Sequence, residues 1–188
     1  MLSAVLAVAL SSATVASDSR CNDIHINAVQ AQLQNFADHP APAAQQNQRG
    51  VALVQAQSDV EEEQVVLQGV CPQNNYLPLA ARISALDAWA DLLVQRNVSA
   101  GNAVCPQAEG KVAAASAASA WLKLAVAAKT APNPPKLVAT LVPQVKALAV
   151  QAGVTLPSFA DATSYWEQQY ETAAKQAIVD CAARTPQP

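Results

Sequence analysis

The sequence predicts an all-α protein, a bundle of five or six helices stapled by two disulfides. Apolar residues recur at spacings of three and four along most of the 188-residue chain, which is the period of an amphipathic helix, and the alternation typical of strands is almost absent. The chain also contains 4 cysteines, enough for two covalent bonds between its helices. These observations favour a single helical domain with a hydrophobic core.

The first residues have the form of a secretory signal peptide. Residues 2–10 are an uncharged, largely apolar run, and small residues follow as far as Ser17. The run is too short to span a bilayer, which needs about 20 apolar residues, and the alternative is a buried N-terminal helix. We therefore expect residues 1–16 to be removed and residues 17–188 to form a single helical domain that is secreted, extracellular or periplasmic. No later segment is expected to cross a membrane.

Breaks in the periodicity divide this domain into six predicted helices. They cover, in order, residues 22–38, 45–70, 79–97, 107–129, 136–152 and 158–183. Pro40 and Pro42 end the first helix, because proline cannot continue a helix and biases the preceding residue away from helical geometry. The second helix is either continuous or divided, at Gly50 or at a capping box formed by Ser58 and Glu61.

The third and fourth helices differ in composition. An apolar stripe from Leu79 to Leu93 defines the third helix and faces the predicted core. Three polar residues of the same helix, Asp87, Asp91 and Gln95, lie away from this stripe and therefore outside the predicted core. The fourth helix is rich in alanine, with an acid near its start and lysines near its end, as the helix dipole favours.

A proline-rich linker at residues 130–135 separates the fourth helix from the fifth. Pro143 is expected to kink or restart the fifth helix, and Gly153 is placed to close it in a left-handed conformation. The last helix carries the predicted stripe Phe159, Trp166, Tyr170, Ala173, Ala177 and Cys181.

The four cysteines predict two disulfides in an exported domain. If the first two helices form an antiparallel hairpin, Cys21 at the start of one and Cys71 at the end of the other meet at one end of the bundle. Cys71 and Cys105 flank the third helix, whose roughly 18 residues hold its ends about 27 Å apart. We therefore predict Cys21–Cys71 and Cys105–Cys181. The main alternative is Cys21–Cys181 with Cys71–Cys105.

Five aromatic side chains are the candidate ligand-binding residues: Trp89, Trp121, Phe159, Trp166 and Tyr170. An aromatic side chain buries about 150–250 Å², so these residues are expected in the core whether or not a ligand binds. Where such large residues hold helices apart, they line an apolar cavity, and ligand sites between the helices of a bundle are common. An apolar small molecule such as a lipid, fatty acid or sterol is the ligand expected there.

No pattern of catalytic or metal-binding residues stands out. The two histidines, His25 and His39, lie at opposite ends of one predicted helix, about 21 Å apart. Consecutive carboxylates at Glu61, Glu62 and Glu63 point in different directions around a helix, unlike the facing pair of glycoside hydrolysis. The cysteine spacings match no zinc motif. We therefore expect no catalytic residue of a known motif, no metal and no cofactor.

Composition narrows the function classes to three. The net charge is −3, only 13% of residues are charged, and the bases are scattered singly, which excludes the basic footprint of a nucleic-acid partner. The first hypothesis is a secreted, non-enzymatic protein that binds an apolar small molecule or adsorbs to an apolar surface. The second is a secreted interaction protein with a host or cell-wall partner. A small secreted enzyme is the third and least expected.

Structural features distinguish these hypotheses. An enclosed apolar volume above about 300 Å³ favours a ligand, whereas a solid core favours a surface function. Several charged groups meeting in one cleft favour an enzyme.

The one N-x-S/T sequon begins at Asn97, where the third helix is predicted to end in an exposed loop. In a eukaryotic source we expect Asn97 to be glycosylated.

Export generates a direct prediction. Protein secreted by its natural host should begin near Ser17 or Asp18, because the small residues before these positions fit a signal-peptidase site. Intact-mass spectrometry of the secreted, deglycosylated protein measures this start. Recovery of the full-length chain from the culture fluid would contradict the signal-peptide interpretation.

Overall fold

A computed structural model describes residues 20–100 and 106–183. Over these two ranges the chain forms six α-helices and one short 3-10 helix, with no strand. The α-helices are α1 (Ile24–Asp38), α2 (Gln46–Val70), α3 (Gln73–Ala100), α4 (Pro106–Thr130), α5 (Lys136–Ala152) and α6 (Ser164–Ala182), and the 3-10 helix covers Ala43–Gln45. The all-α bundle is confirmed. The predicted signal peptide, residues 1–16, lies outside the described residues.

The second helix, α2, runs undivided through Gly50 and the segment that could have formed a capping box. Gly50 is tolerated inside α2 because the helix passes close to α3 there. A Cβ atom added at Gly50 would lie 3.2 Å from Nδ2 of Asn97. The missing side chain therefore allows this close approach, although glycine is a poor residue for a helix interior.

The third helix is longer than predicted at both ends. It begins at Gln73, where the Pro72 carbonyl accepts hydrogen bonds from the N–H groups of Asn75 and Tyr76, both at 2.9 Å. Pro78 lies within its second turn, where the missing N–H leaves the carbonyl of Asn74 without its usual intrahelical donor. At the other end the helix continues to Ala100, so the expected exposed loop around Asn97 is wrong.

The fifth helix contains Pro143 without ending there, and it closes at Gly153 as predicted. Gly153 has a positive φ of 69°, which L side chains rarely adopt. The following Val154 N–H donates to the Ala149 carbonyl at 2.8 Å. The Ala149 carbonyl also accepts from the Gly153 N–H, so two donors close the end of α5.

The last helix begins at Ser164, six residues later than predicted. Thr163 has extended backbone geometry, and its side-chain oxygen accepts a hydrogen bond from the Trp166 N–H at 3.2 Å. This is the geometry of a helix N-cap, so Thr163 defines the start of α6. Phe159 therefore lies in the α5–α6 connection, and the predicted stripe beginning at Phe159 is wrong at its first member.

The centre of the bundle is the pair α3 and α4. Helix α3 packs against α1, α2, α4 and α5, and α4 also packs against α5 and α6. Fully buried alanines occupy both helices: Ala81, Ala85, Ala88 and Ala90 in α3, and Ala117, Ala118, Ala120 and Ala127 in α4. Small side chains at a contact let two helix axes approach closely. Larger apolar side chains, including Leu33, Leu67, Leu86 and Leu124, fill the space around this pair.

One stretch within α4, Ala108–Thr130, is long and apolar enough to cross a membrane by length and composition, which the sequence analysis did not expect. Its most apolar 18 residues have a mean hydropathy of 1.2, and 44% of them are buried inside the protein. Contacts with α3, α5 and α6 account for this burial, because α4 is a core helix of the bundle.

The disulfide between Cys21 and Cys71 confirms the first predicted pairing. Their Cα atoms lie 5.1 Å apart, at the start of α1 and directly after α2. This position follows from an antiparallel α1–α2 hairpin, as the sequence indicates. Of the two predicted disulfides the structure describes this one. Cys105 lies outside the described residues, so the Cys105–Cys181 bond stays a prediction, and no described cysteine is a free thiol.

Removing the described disulfide should destabilise the fold. We expect the double variant Cys21→Ser/Cys71→Ser to lose about 2–4 kcal/mol of unfolding free energy, because the unfolded chain regains the freedom of a long closed loop. Urea denaturation followed by circular dichroism measures this change. A loss below about 1 kcal/mol would show that packing alone holds the α1–α2 hairpin.

Candidate functional site

The five predicted aromatic residues pack as two separate pairs and one core residue. Trp121 and Phe159 have ring centroids 4.5 Å apart, and the Trp121 Nε1 donates a hydrogen bond to the Pro157 carbonyl at 2.9 Å. Trp166 and Tyr170 form an edge-to-face pair at 5.4 Å. Trp89 is buried in α3.

These aromatic contacts anchor helices rather than surround a common space. Trp121 joins α4 to the α5–α6 connection, and Trp166 packs against both hydrophobic clusters of the core. Tyr170 also lines an open groove of about 360 Å³, together with Lys111, Gln151 and several small residues. Ligand binding at the five aromatic residues therefore stays a prediction. Their contacts are those of residues that anchor the helices to the core.

A second groove, of about 160 Å³, opens where the α1–α2 turn meets α2 and α3. We call it the Arg49 groove. Its lining residues are Phe36, Ala37, Pro40, Ala41, Gln46, Arg49, Leu53, Leu93, Arg96 and Asn97. Leu53 and Leu93 form a buried apolar floor, being only 2% and 4% exposed. The groove thus combines an apolar floor with two guanidinium groups.

Arg49 is held firmly on one side of this groove. Its Nη2 donates a hydrogen bond to the His39 carbonyl at 2.8 Å. Its guanidinium carbon lies 4.7 Å from the centroid of the Phe36 ring, a cation–π contact. Its Nη1 is buried and has no hydrogen-bond partner. A buried donor left without an acceptor costs about 1–3 kcal/mol, and more when it is charged.

The charge of the Arg49 groove is uncompensated. Neither Arg49 nor Arg96 forms an ion pair with any residue that the structure describes. The ten lining residues include no acid. The next acid along the chain, Asp38, accepts a hydrogen bond from Gln34 at 2.8 Å. An anion is therefore the ligand whose charge suits this groove.

Asn97, the predicted glycosylation site, lies within α3 at the edge of this groove. Its Nδ2 donates a hydrogen bond to the Gln46 carbonyl at 3.0 Å, which ties the start of α2 to the end of α3. The side chain is half-buried instead of exposed in a loop. Glycosylation stays a prediction, but the nitrogen that would carry the glycan contributes to helix packing.

A third groove, of about 320 Å³, lies between α1, α3 and the start of α5. Its Arg82 is fully engaged with α1. It donates to Asp23 at 3.1 Å, Asn27 at 2.6 Å and Gln30 at 3.2 Å. Hydrogen bonding to Asn27, and then the Arg82 guanidinium, lower the pKa of Asp23. This arginine is thus a tie between helices with little capacity left for a ligand.

A buried charged cluster joins α2, α3 and α4. The Nζ of Lys123 lies 2.9 Å from Oδ1 of Asp87 and 2.9 Å from Oδ2 of Asp91. The Nε2 of Gln57 donates to Oδ1 of the same two aspartates, at 3.1 Å and 2.8 Å. Four side chains from three helices therefore share one small network.

Burial governs the electrostatics of this cluster. Burial raises the pKa of Asp91 above its ordinary value, although Lys123 acts in the opposite direction. Burial also opposes the charge of Lys123, but the attraction of Asp91 and Asp87 outweighs it and raises the Lys123 pKa. Nearby on α6, burial and the neighbouring Glu171 raise the pKa of Glu167.

The cluster is the feature that sequence analysis missed, since Asp87 and Asp91 had been placed outside the core. Two signals pointed to it. The two aspartates are one helical turn apart, and Lys123 is the only charged residue between Lys111 and Lys129 in an alanine-rich helix. A lone charge on such a helix requires a partner when it is buried.

The cluster is suited to holding helices together more than to chemistry. The lysine charge is balanced by the two aspartates, and Gln57 donates to Oδ1 of both, while Oδ2 of Asp91 is buried beside Lys123 without a further hydrogen bond. Within the described ranges, no group of three or more His, Cys, Asp or Glu residues could hold a metal ion. His25 and the carboxylates of Glu61 and Glu62 are exposed.

Comparison of the chain with protein families, with curated proteins and with solved structures finds no match. Any proposal about the function of this chain therefore depends on the contacts, burial and charge of its own residues.

Removing the lysine of the cluster should destabilise the bundle strongly. Lys123→Met leaves two buried carboxylates without a cation, so we expect a loss of about 3–5 kcal/mol at pH 7. Asp91→Asn in that background should restore part of the loss. Urea denaturation of the two variants and of Lys111→Met, an exposed lysine on the same helix, measures these differences.

The same loss should depend on pH. A carboxyl whose folded pKa lies above the unfolded value of 3.8 favours the protonated folded state, so stability rises as pH falls through the folded pKa. Without Lys123, which lowers the pKa of Asp91, this effect grows, so the penalty of Lys123→Met relative to the unmodified chain should shrink as the pH falls from 7 toward the raised pKa of Asp91. A penalty that stays constant, or an equal effect of Lys111→Met, would contradict this role.

Proposed function

We propose that this protein is a secreted, non-catalytic binding protein that takes a small apolar molecule in the Arg49 groove. One observation carries the proposal. Leu53 and Leu93 form the nearly closed floor, at 2% and 4% exposure, of a groove whose wall includes the half-buried Phe36, at the junction of three helices. Removing apolar ligand surface from water contributes about 25 cal/mol per Å² before the costs of association.

The packing of the interior supports a surface groove over an enclosed cavity. Trp121 and Phe159 contact each other, and Trp89 and Trp121 are part of the main core cluster. The Arg49 groove is smaller than the 300–1,000 Å³ typical of sites for drug-sized ligands. It therefore suits a short alkyl chain or a single ring, and a longer chain would leave part of its length in solvent. A sterol is too large for it.

The disulfide supports export. A bond such as Cys21–Cys71 forms and persists in oxidising compartments and is rare in the cytoplasm. Together with the apolar N-terminal residues, it favours a location outside the cytoplasm, extracellular or periplasmic. The engaged charges of Asp87, Asp91 and Lys123 favour binding over catalysis, because none of them is free to transfer a proton to a substrate.

A second candidate function is a surface interaction with a host or cell-wall partner. Val51, Val54 and Val65 are 73%, 54% and 70% exposed on α2. Their spacings of three and eleven residues place them on one side of the helix. Such a set of exposed valines favours contact with another surface, although polar residues lie between them.

Filling the Arg49 groove should abolish binding of a neutral apolar probe. Ala41 lines the groove from the α1–α2 turn, so Ala41→Trp places a large ring in it. We expect 1-octanol to shift the NMR amide signals of Leu53 and Leu93 saturably, and its affinity to fall at least about tenfold in Ala41→Trp, as for a loss of roughly 1.4 kcal/mol.

The matched control is Ala147→Trp, at an exposed position of α5 far from the groove in sequence. This variant should bind 1-octanol like the unmodified protein. If neither 1-octanol nor its carboxylate counterpart octanoate shifts these signals in the unmodified protein, the proposal fails and the surface-interaction candidate takes its place.

A further inference from the structure

We infer that the ligand of the Arg49 groove carries a carboxylate that pairs with the guanidinium of Arg49, so that the natural ligand belongs to the class of small apolar carboxylic acids. This inference rests on the proposed function and specifies its ligand chemistry. It follows from an unused donor, an uncompensated charge and an apolar floor that meet at one place.

The unused donor is Nη1 of Arg49. The guanidinium cannot lose its proton in a protein, so it remains a charged donor on every nitrogen. Nη2 is engaged by the His39 carbonyl at 2.8 Å, whereas Nη1 is buried without a partner. The charge of the half-buried guanidinium is therefore only partly satisfied within the protein, and a carboxylate on its accessible side stabilises it more strongly than a neutral acceptor, because both partners are charged.

The guanidinium is also positioned before any ligand arrives. The Phe36 ring lies 4.7 Å from its central carbon, and the His39 carbonyl holds one nitrogen. A donor that is already oriented loses little conformational freedom on binding. Lysine in this position would offer neither the planar fork nor the stacking on Phe36.

The remainder of the groove defines the rest of the ligand. Leu53 and Leu93 form the floor beside Arg49, and Arg96 adds an exposed positive charge at the rim. No acid lines the groove, and neither arginine is paired with any residue in the described part of the chain. A ligand with an apolar body and one terminal carboxylate fits both the leucine floor and the arginine charges of this groove.

The test compares two probes that differ only at the head group, octanoate and 1-octanol, at pH 7 and low salt. Isothermal titration calorimetry of the unmodified mature protein should show at least tenfold tighter binding of octanoate than of 1-octanol. In Arg49→Met, which keeps the length of the side chain and removes its donors, the ratio should fall close to one while 1-octanol still binds. Lys146→Met, which removes an exposed positive charge on α5, should leave the ratio unchanged.

The outcomes separate this inference from the proposed function. Equal affinity for the two probes in the unmodified protein overturns the carboxylate assignment and leaves the apolar groove intact as a binding site. Binding of neither probe overturns both. A ratio that survives in folded Arg49→Met, with folding checked by circular dichroism, shows that another group binds the acid. If Arg49→Met does not fold, Arg49→Lys is used, and it should lose most of the preference because the fork is gone.

Discussion

The ammonium group of Lys123 joins α3 to α4 by pairing with Asp87 and Asp91, in two helices that both carry fully buried alanines. Alanine faces bury little area each and offer few distinct shapes, so several offsets along the helix axis would pack comparably well. Lys123 removes this freedom, because its charge is satisfied only where Asp87 and Asp91 both reach it. We interpret the cluster as the element that selects one alignment, a role for which buried polar groups are known in helical assemblies.

The rest of the bundle is arranged around that pair. Gln57 extends the network to α2, and Asn97 ties the far end of α3 to the start of α2. Arg82 connects α3 to α1, and the Cys21–Cys71 bond closes the α1–α2 hairpin. The Arg49 groove lies beside the short turn that joins α1 to α2, and Pro40 and Ala41 of this turn line it.

The sequence alone predicted the helical class, most helix boundaries and the Cys21–Cys71 pairing, because these depend on local periodicity and on which helix ends meet. Predictions failed where a contact with another helix decided the outcome. Asp87 and Asp91 look like surface residues until Lys123 and Gln57 are placed beside them. Thr163, and not the apolar Phe159, determines where α6 begins, because a capping hydrogen bond competes with hydrophobic periodicity.

The candidate site was the least predictable part. The sequence shows which side chains are the largest, but it does not show which of them contact each other and which line a cavity. Arg49 carries no local signal at all, since its significance depends on a carbonyl ten residues earlier, a phenylalanine on α1 and a floor supplied by α2 and α3 together. A binding site between helices depends on residues that are far apart in the sequence and meet only in the fold, whereas a helix depends on residues that are neighbours in the chain.

The disulfide between Cys21 and Cys71 also determines whether cleavage of the α1–α2 turn by a protease releases helix α1. The turn between α1 and α2 is exposed at His39, Pro40 and Pro42, and such turns are preferred sites of nicking. A cut there would fall inside the loop closed by Cys21 and Cys71, so the two pieces would stay covalently attached. Helix α1 would then remain at a high effective concentration beside its neighbours and could dock again. In an environment rich in extracellular proteases, the turn beside the groove could be cleaved without the loss of α1.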